Sequence, residues 1–324
     1  MNILITGGAG YIGSVTTEML LDQGHKVVVF DNLERGHRRA VDRRALFIKG
    51  DLRKRLQVER AIGKSRPEAV LHFAAYALVG ESMEQPAMYF RNNVEGSLNL
   101  AEAMLDAGVP RIVFSSSCAT YGQPETPAIT EDTAQRPTNP YGESKLAFEK
   151  MLGWYGRLRN LQSVVLRYFN AAGASGKYGE DHDPETHLIP NVLKAALGLR
   201  PALQVFGDDY ATPDGTCIRD YIHILDLARA HAASVTGSFT GAFNLGTGTG
   251  HSVRQVIEAA RRVTGRPVPV DMRPRRPGDP ARLVADYAKA KAALGWTPAH
   301  SAIDEIVESA WKWASAHPRG YAGA

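Results

Sequence analysis

The sequence predicts an α/β fold: a Rossmann-like doubly wound parallel sheet with a smaller, interleaved C-terminal substrate-binding lobe. Three observations lead there. Apolar strand runs alternate with helical stretches through the first half of the 324 residues, as in βα units built around a parallel sheet. The opening run, Met1 to Thr6, passes straight into Gly7-Gly8-Ala9-Gly10-Tyr11-Ile12-Gly13 and then a helical pattern at Val15, Met19 and Leu20. Composition allows a large core, with 44% hydrophobic residues in a chain long enough for one extended domain or two lobes.

Strands are expected at 2–6, 26–30, 45–48, 69–72, 111–115 and 162–168, and helices near 11–23, 55–64, 84–107 and 141–158. The glycines between the first strand and helix permit a tight turn, let backbone approach a pyrophosphate and let the helix pack close to the sheet. The helix N-terminus adds free N–H groups and partial positive charge for phosphates. The second strand, Lys26 to Phe30, ends at Asp31, 18 residues past Gly13. An acid there accepts hydrogen bonds from the adenosine ribose and repels a 2′-phosphate, which points to NAD rather than NADP. Arg35, Arg38 and Arg39 argue the other way unless they form a solvated helix face.

Ser115-Ser116-Ser117 follows the strand Arg111 to Phe114. A hydroxyl at that strand end, in the same sheet as the glycine turn, lies near a nicotinamide and can donate to a substrate oxygen; otherwise the serines cap a turn. Thr138-Asn139-Pro140 is a good helix start, and Tyr141-Gly142-Glu143-Ser144-Lys145 follows it. Positions i and i+4 share a helix face, so an ammonium is expected beside a phenol, lowering its pKa from about 10. Reaching 7 takes about 3 units, or about 4 kcal/mol, a load that a second cation such as an oxidised nicotinamide shares. A tyrosine so tuned removes a proton from a sugar hydroxyl at neutral pH.

Residues 171–187 change to loop character, and 188–199, 250–264 and 301–317 form amphipathic helical patterns. The expected division is 1–169 for dinucleotide binding and 170–324 for the substrate lobe, with segments near 217–238 returning to the first. Arg275-Arg276 near Asp279 sits in a proline- and glycine-rich loop, where arginine forks suit a diphosphate.

The remaining features mostly exclude. Cys118 and Cys217 give neither a disulfide framework nor a CxxC pair, which fits a reducing cytoplasm. The first strand begins at once, so no signal peptide is expected, and no run of about 18 apolar residues suggests a membrane span. Net charge is +4, and clusters such as Arg53-Lys54-Arg55 are too short for nucleic acid, though the balance suits an anionic small molecule. His182, His187 and His223 lack metal-like spacing with cysteines or each other, so no metal is expected. There is no nucleophile elbow and no Walker lysine.

Further segments complete a pattern: Gly50-Asp51-Leu52, His72-Phe73-Ala74-Ala75, Val79 to Ser82, Asn92-Asn93-Val94, Leu166 to Asn170, Phe206 to Tyr210, Gly215 to His223 and Asn244-Leu245-Gly246. With the glycine turn, Ser115–Ser117, Pro140–Lys145 and Arg275–Asp279, the sequence resembles the extended short-chain dehydrogenase/reductase superfamily over nearly its whole length. Within it, the sequence resembles the UDP-glucose 4-epimerase family, whose more specific marks are the Asp209–Thr216 block and the Arg219 segment.

That resemblance implies a tightly held NAD serving as a temporary hydride store. It also implies reversible epimerisation at C4 of a UDP-hexose, UDP-galactose to UDP-glucose, through a 4-keto sugar. Tyr141 would take the 4-hydroxyl proton, Lys145 would hold the ribose hydroxyls and keep Tyr141 ionised, and Ser117 would hydrogen-bond the 4-oxygen. Gly7, Gly10, Tyr11, Ile12, Gly13, Asp31, Asn32, Asp51, Leu52, Phe73, Ala74, Ala75, Asn92 and Phe169 would line the NAD site, with Ser117, Tyr141 and Lys145. Asn170, His187, Leu188, Phe206, Arg219, Tyr221, Arg276, Asp279 and Leu283 would hold the UDP-sugar. A homodimer through the helices at 84–107 and 141–158 would follow by likeness.

Three departures stand out. Ala77 replaces a lysine near the cofactor phosphates in many relatives, a change expected to loosen NAD. His187 stands for an asparagine beside the diphosphate. Leu283 is shorter than the tyrosine that shuts out N-acetyl groups, so some turnover of UDP-N-acetylglucosamine is expected. A 4-epimerase of UDP-glucuronate or a UDP-pentose shares nearly every motif, and a silent NAD-sensing protein or a net oxidoreductase also stays open. A 4,6-dehydratase needs an acid pair where Ser117-Cys118-Ala119 has none.

Overall fold

The computed structural model describes residues 1–276 and 278–323, so Pro277 of the Arg275–Asp279 segment and Ala324 lie outside the described residues. The first half runs β1 (Asn2–Thr6), α1 (Tyr11–Asp22), β2 (Lys26–Asp31), β3 (Leu46–Lys49), α2 (Arg55–Ser65) and β4 (Ala69–His72). Then come α3 (Val79–Glu84), α4 (Pro86–Tyr89), α5 (Gly96–Asp106), β5 (Arg111–Ser117), α6 (Pro140–Arg159) and β6 (Gln162–Tyr168). The second half holds β7 (Asn170–Ala172), α7 (Leu188–Ala196), β8 (Leu203–Phe206), β9 (Ile218–His223), α8 (Ile224–Thr236) and β10 (Gly241–Leu245). It closes with β11 (Gly250–Ser252), α9 (Val253–Thr264), β12 (Val270–Arg273), β13 (Arg282–Leu283), α10 (Ala288–Leu294) and α11 (Ile303–Ala316).

Seven strands form one parallel sheet in the order β10-β6-β5-β4-β1-β2-β3. Alternate strand residues face opposite sides, and β1 shows why its run is continuously apolar. Ile3 and Ile5 pack with Val15 and Leu20 of α1 and Leu227 of α8, whereas Leu4 packs on the other face with Ile62 of α2, Leu100 of α5 and Phe148 of α6. Both faces are covered, as in doubly wound sheets. A smaller lobe holds β7, β9, β11 and β13 in one sheet and β8 with β12 in another, over a core drawn from α7, α9 and α11.

The expected helix at 84–107 is broken. Gln85 adopts φ −129° and ψ 58° before Pro86 starts a new turn, because a residue preceding proline is steered out of the helical region. Phe90–Glu95 then winds as a π-helix before α5. The strand expected to stop at 115 continues to Ser117, which pairs with Tyr168. Helix α8, in the segment near 217–238, and strand β10 return to the main sheet from the second half; β10 has only five residues, too short a run to stand out in sequence.

Candidate active site

The strand order reverses direction between β1 and β4, the place where open α/β sheets bind ligands. Gly7 sits there with φ +75°, and a Cβ on it would lie 2.5 Å from the Ala74 nitrogen. A Cβ on Gly13 would lie 2.3 Å from the Gly7 oxygen. Only glycine lets these backbones meet. Gly10 opens α1 without a side-chain cap, so first-turn N–H groups face outward. Asp31, 8% exposed, accepts from the Ala9 nitrogen at 3.0 Å and the Leu33 nitrogen at 2.8 Å. Burial pushes its pKa up, with both backbone donors working against the rise.

This cradle fits NAD: close-packed glycines, a bare helix N-terminus and an acid at the second strand end. The three arginines are committed elsewhere. Arg35 reaches Asp183 O and Glu81, Arg39 reaches Tyr321 O, and Arg38 stacks 4.6 Å from the Phe47 ring centroid. All three remain exposed to solvent, as a solvated face requires, while making these contacts. Asn32 donates to Glu34, Asp51 accepts from Arg53, Leu52 O accepts from Asn99, and Phe73 packs on His231. Ala74 donates to Thr6 O, Ala75 stays half-buried, Asn92 is buried, and Phe169 donates its N–H to Leu245 O.

Helix α6 delivers Tyr141 and Lys145. Asn139 caps it by accepting from the Gly142 nitrogen at 2.9 Å, with Pro140 next. Gly142 is required because a Cβ there would lie 2.5 Å from Ala119 O, so helix and Ser117 turn meet closely. Tyr141, Lys145 and Ser117 are 7%, 3% and 8% exposed. The expected lowering of the phenol is reversed. Burial pushes Tyr141 up to about 12, with a Ser117 hydrogen bond opposing. Lys145 is pulled down to about 7 by burial, Glu149 opposing. Its Nζ donates to Ser115 O at 2.8 Å and lies 5.9 Å from the Tyr141 ring centroid, so it binds backbone rather than the phenolic oxygen.

Behind these groups lies a buried polar network that sequence reasoning missed. Asn93 in the π-helix accepts from the Tyr76 nitrogen and donates to Tyr76 O and Ser144. It thereby ties α6 to the strand β4 loop. His72 bridges Thr6 and Ser97 and is pulled down to about 3 by burial, with Lys145 adding to the effect. Ser115 bonds His231, and Ser116 bonds Glu149, which pairs with Arg167 at 2.6 Å. Of the three serines, only Ser117 reaches Tyr141.

On the lobe side, Arg219 pairs with Asp279, and Arg276 lies 3.9 Å from the Phe206 ring centroid. Asn170 donates to Asp220 O at 2.9 Å. Leu283 packs with Phe169, Tyr121 and Cys118 at the β5 end. Tyr221 is buried and Leu188 half-buried around the lobe core. His187 Nδ1 lies 2.8 Å from Glu180 and 3.0 Å from Glu185. Burial alone would lower its pKa, but these carboxylates push it up to about 10. The sequence signal for these glutamates is their spacing with the histidines, Glu180-x-His182-x-x-Glu185-x-His187, rather than any cysteine or histidine pairing.

A parallel sheet with a glycine turn at its switch point and a Ser–Tyr–Lys set two strands away defines a dinucleotide-dependent enzyme of the short-chain dehydrogenase/reductase type. The sequence profile of the NAD dependent epimerase/dehydratase family matches residues 3–246, and the chain belongs to that family. It is 51% identical to a UDP-glucose 4-epimerase of Halalkalibacterium halodurans, over 99% of this chain and 98% of that one. The fold superposes with TM-score 0.95 on the Bifidobacterium longum UDP-glucose 4-epimerase in complex with NAD+ and UDP, at 40% identity over 99% and 100% of the chains. For the UDP-Glc/GlcNAc 4-epimerase of Campylobacter jejuni the TM-score is 0.86, at 38% identity over 97% and 99%.

Proposed function

We propose that this protein interconverts UDP-galactose and UDP-glucose by epimerisation at C4 without net redox change. The observation that carries this reading is Tyr141 buried against Ser117 at the end of β5, in a turn whose next residues, Cys118 and Ala119, offer no carboxylate for dehydration. Bound NAD supplies a reversible acceptor for the C4 hydrogen and, when oxidised, a positive ring that favours an ionised phenol. Gly7 to Gly13, Asp31 and the Phe73–Ala75 turn hold that cofactor. The engaged Arg35, Arg38 and Arg39 support NAD over NADP.

Tyr141 takes the proton from the sugar 4-oxygen and returns it, while Ser117 donates to the same oxygen as its charge changes. Lys145 anchors ribose hydroxyls from its seat on Ser115 O. Arg219, Arg276, Asn170 and Asp279 bind the UDP portion from the lobe, opposite the cofactor domain of 1–169 and its returning α8 and β10. Leu283 favours a second substrate class, UDP-N-acetylhexosamines, because its side chain leaves room at the sugar 2-position.

No helix among the described residues is long and apolar enough to cross a membrane. Two free cysteines support a reducing, cytoplasmic setting. A homodimer is supported by Phe90, Leu98, Trp154 and Leu158, 39%, 36%, 58% and 71% exposed on the π-helix, α5 and α6.

The test is incubation of purified protein with UDP-galactose and no added NAD, followed by chromatography for UDP-glucose. Conversion to an equilibrium mixture is expected, with Tyr141→Phe slower by about 10²–10⁴-fold. Net accumulation of reduced cofactor, or no product even with NAD added, would overturn the assignment.

A further inference from the structure

We propose that Glu180, His182, Glu185 and His187 form a binding site for one divalent transition-metal ion of the zinc type. These four residues follow one another as Glu-x-His-x-x-Glu-x-His in the loop entering α7. Each offers a donor atom, and the donors lie within 4.8 Å of one another. His182 Nδ1 is 3.2 Å from Glu180 Oε1 and 3.8 Å from Glu185 Oε2. His187 Nδ1 is 2.8 Å from Glu180 and 3.0 Å from Glu185. Donors at zinc bond lengths of about 2.0–2.1 Å sit about 3.3 Å apart along a tetrahedral edge, and the observed separations bracket that value.

A second observation points the same way. The Glu185 side chain is only 3% exposed, yet its Oε2 makes no hydrogen bond, and His182 Nδ1 approaches the two carboxylates at 3.2 and 3.8 Å without hydrogen-bond geometry. Buried polar atoms are almost always satisfied, and a shared cation satisfies both at once. Two carboxylates, with Glu180 also 7% exposed, neutralise a dication. Two imidazoles select zinc-like ions over magnesium or calcium, which prefer oxygen alone. Four protein ligands leave no open position, the mark of a structural rather than a catalytic ion.

The ion would clamp this loop to the cofactor turn. Tyr11 of the glycine turn packs edge-on to His182, with centroids 6.4 Å apart, and donates to Gly173 O at 2.6 Å. Arg35 and His37 bond the carbonyls of Asp183 and Asp181 in the same loop.

The experiment uses untagged full-length protein stripped with chelator and dialysed against Zn²⁺ or Mg²⁺. About one tightly held zinc per chain by elemental analysis is expected, as is a Tm several degrees above the stripped protein with Zn²⁺ but not Mg²⁺. Both should be lost in Glu185→Gln. Should that variant not fold, cobalt-loaded wild type reports instead, through the intense visible absorption of four-coordinate Co²⁺. No retained zinc, equal response to magnesium, undiminished binding by folded Glu185→Gln, or absence of the cobalt band would overturn the site. It would then be a cluster of His–Glu ion pairs alone.

Discussion

At the scale of the residue, burial outweighs the pairing that helical spacing implies. Lys145 and Tyr141 share a helix face, yet both shift toward their neutral forms because the pocket is dry. The folded Lys145 pKa is about 7 against an ordinary 10.5. Between those values the unfolded chain binds the extra proton, so this site's contribution to stability rises with pH across that window and is least favourable below it. Lys145→Met is therefore expected to raise Tm at pH 6 by about 2 °C or more while abolishing turnover, with the gain shrinking by pH 9. Thermal unfolding at both pH values checks this, and a gain indifferent to pH would refute it. Leu283→Tyr should remove conversion of UDP-N-acetylgalactosamine while sparing UDP-galactose. Equal loss on both substrates in a kcat/KM comparison would mean that Leu283 does not set the sugar's 2-substituent.

At the scale of the element, helix α6, which carries Tyr141 and Lys145, is positioned by its first turn and by the π-helix beside it. Gly142→Ala would drive a methyl toward Ala119 O and displace Tyr141 from Ser117. A loss of turnover of about 10²-fold is expected, as misplacement near 1 Å produces, with the circular dichroism spectrum preserved. Asn93 holds three hydrogen bonds to Tyr76 and Ser144. Asn93→Ala should lower unfolding stability by about 1–3 kcal/mol, read from urea denaturation. A π-turn often marks a functional position, and here it carries two adjacent buried asparagines, Asn92 and Asn93.

At the scale of the molecule, Phe90, Leu98, Trp154 and Leu158 stand exposed on the π-helix, α5 and α6. Exposed apolar side chains that cluster mark association surfaces. Trp154→Glu with Leu158→Glu is expected to convert a dimer to a monomer in light scattering; an unchanged mass would place any interface elsewhere. The fold itself was largely legible. Six strand positions of the main sheet, the glycine turn, Asp31 and the Pro140–Lys145 helix start are all local patterns, set by period, turn chemistry and capping. The seventh strand was not, because Gly241–Leu245 is short and finds its place only beside β6.

The sequence by itself determined the βα alternation, the dinucleotide cradle and the identity of the Ser–Tyr–Lys set, since each is written within a few consecutive residues. Tertiary structure alone decided the rest. It reversed the direction of the Tyr141 shift, gave Arg35 and Arg39 carbonyl partners from distant segments, and gathered two glutamates around His182 and His187. The physical reason is common to all three. Desolvation and hydrogen-bond partnership depend on what packs against a group, and those neighbours come from segments tens to hundreds of residues away or from the folding of a loop without periodicity.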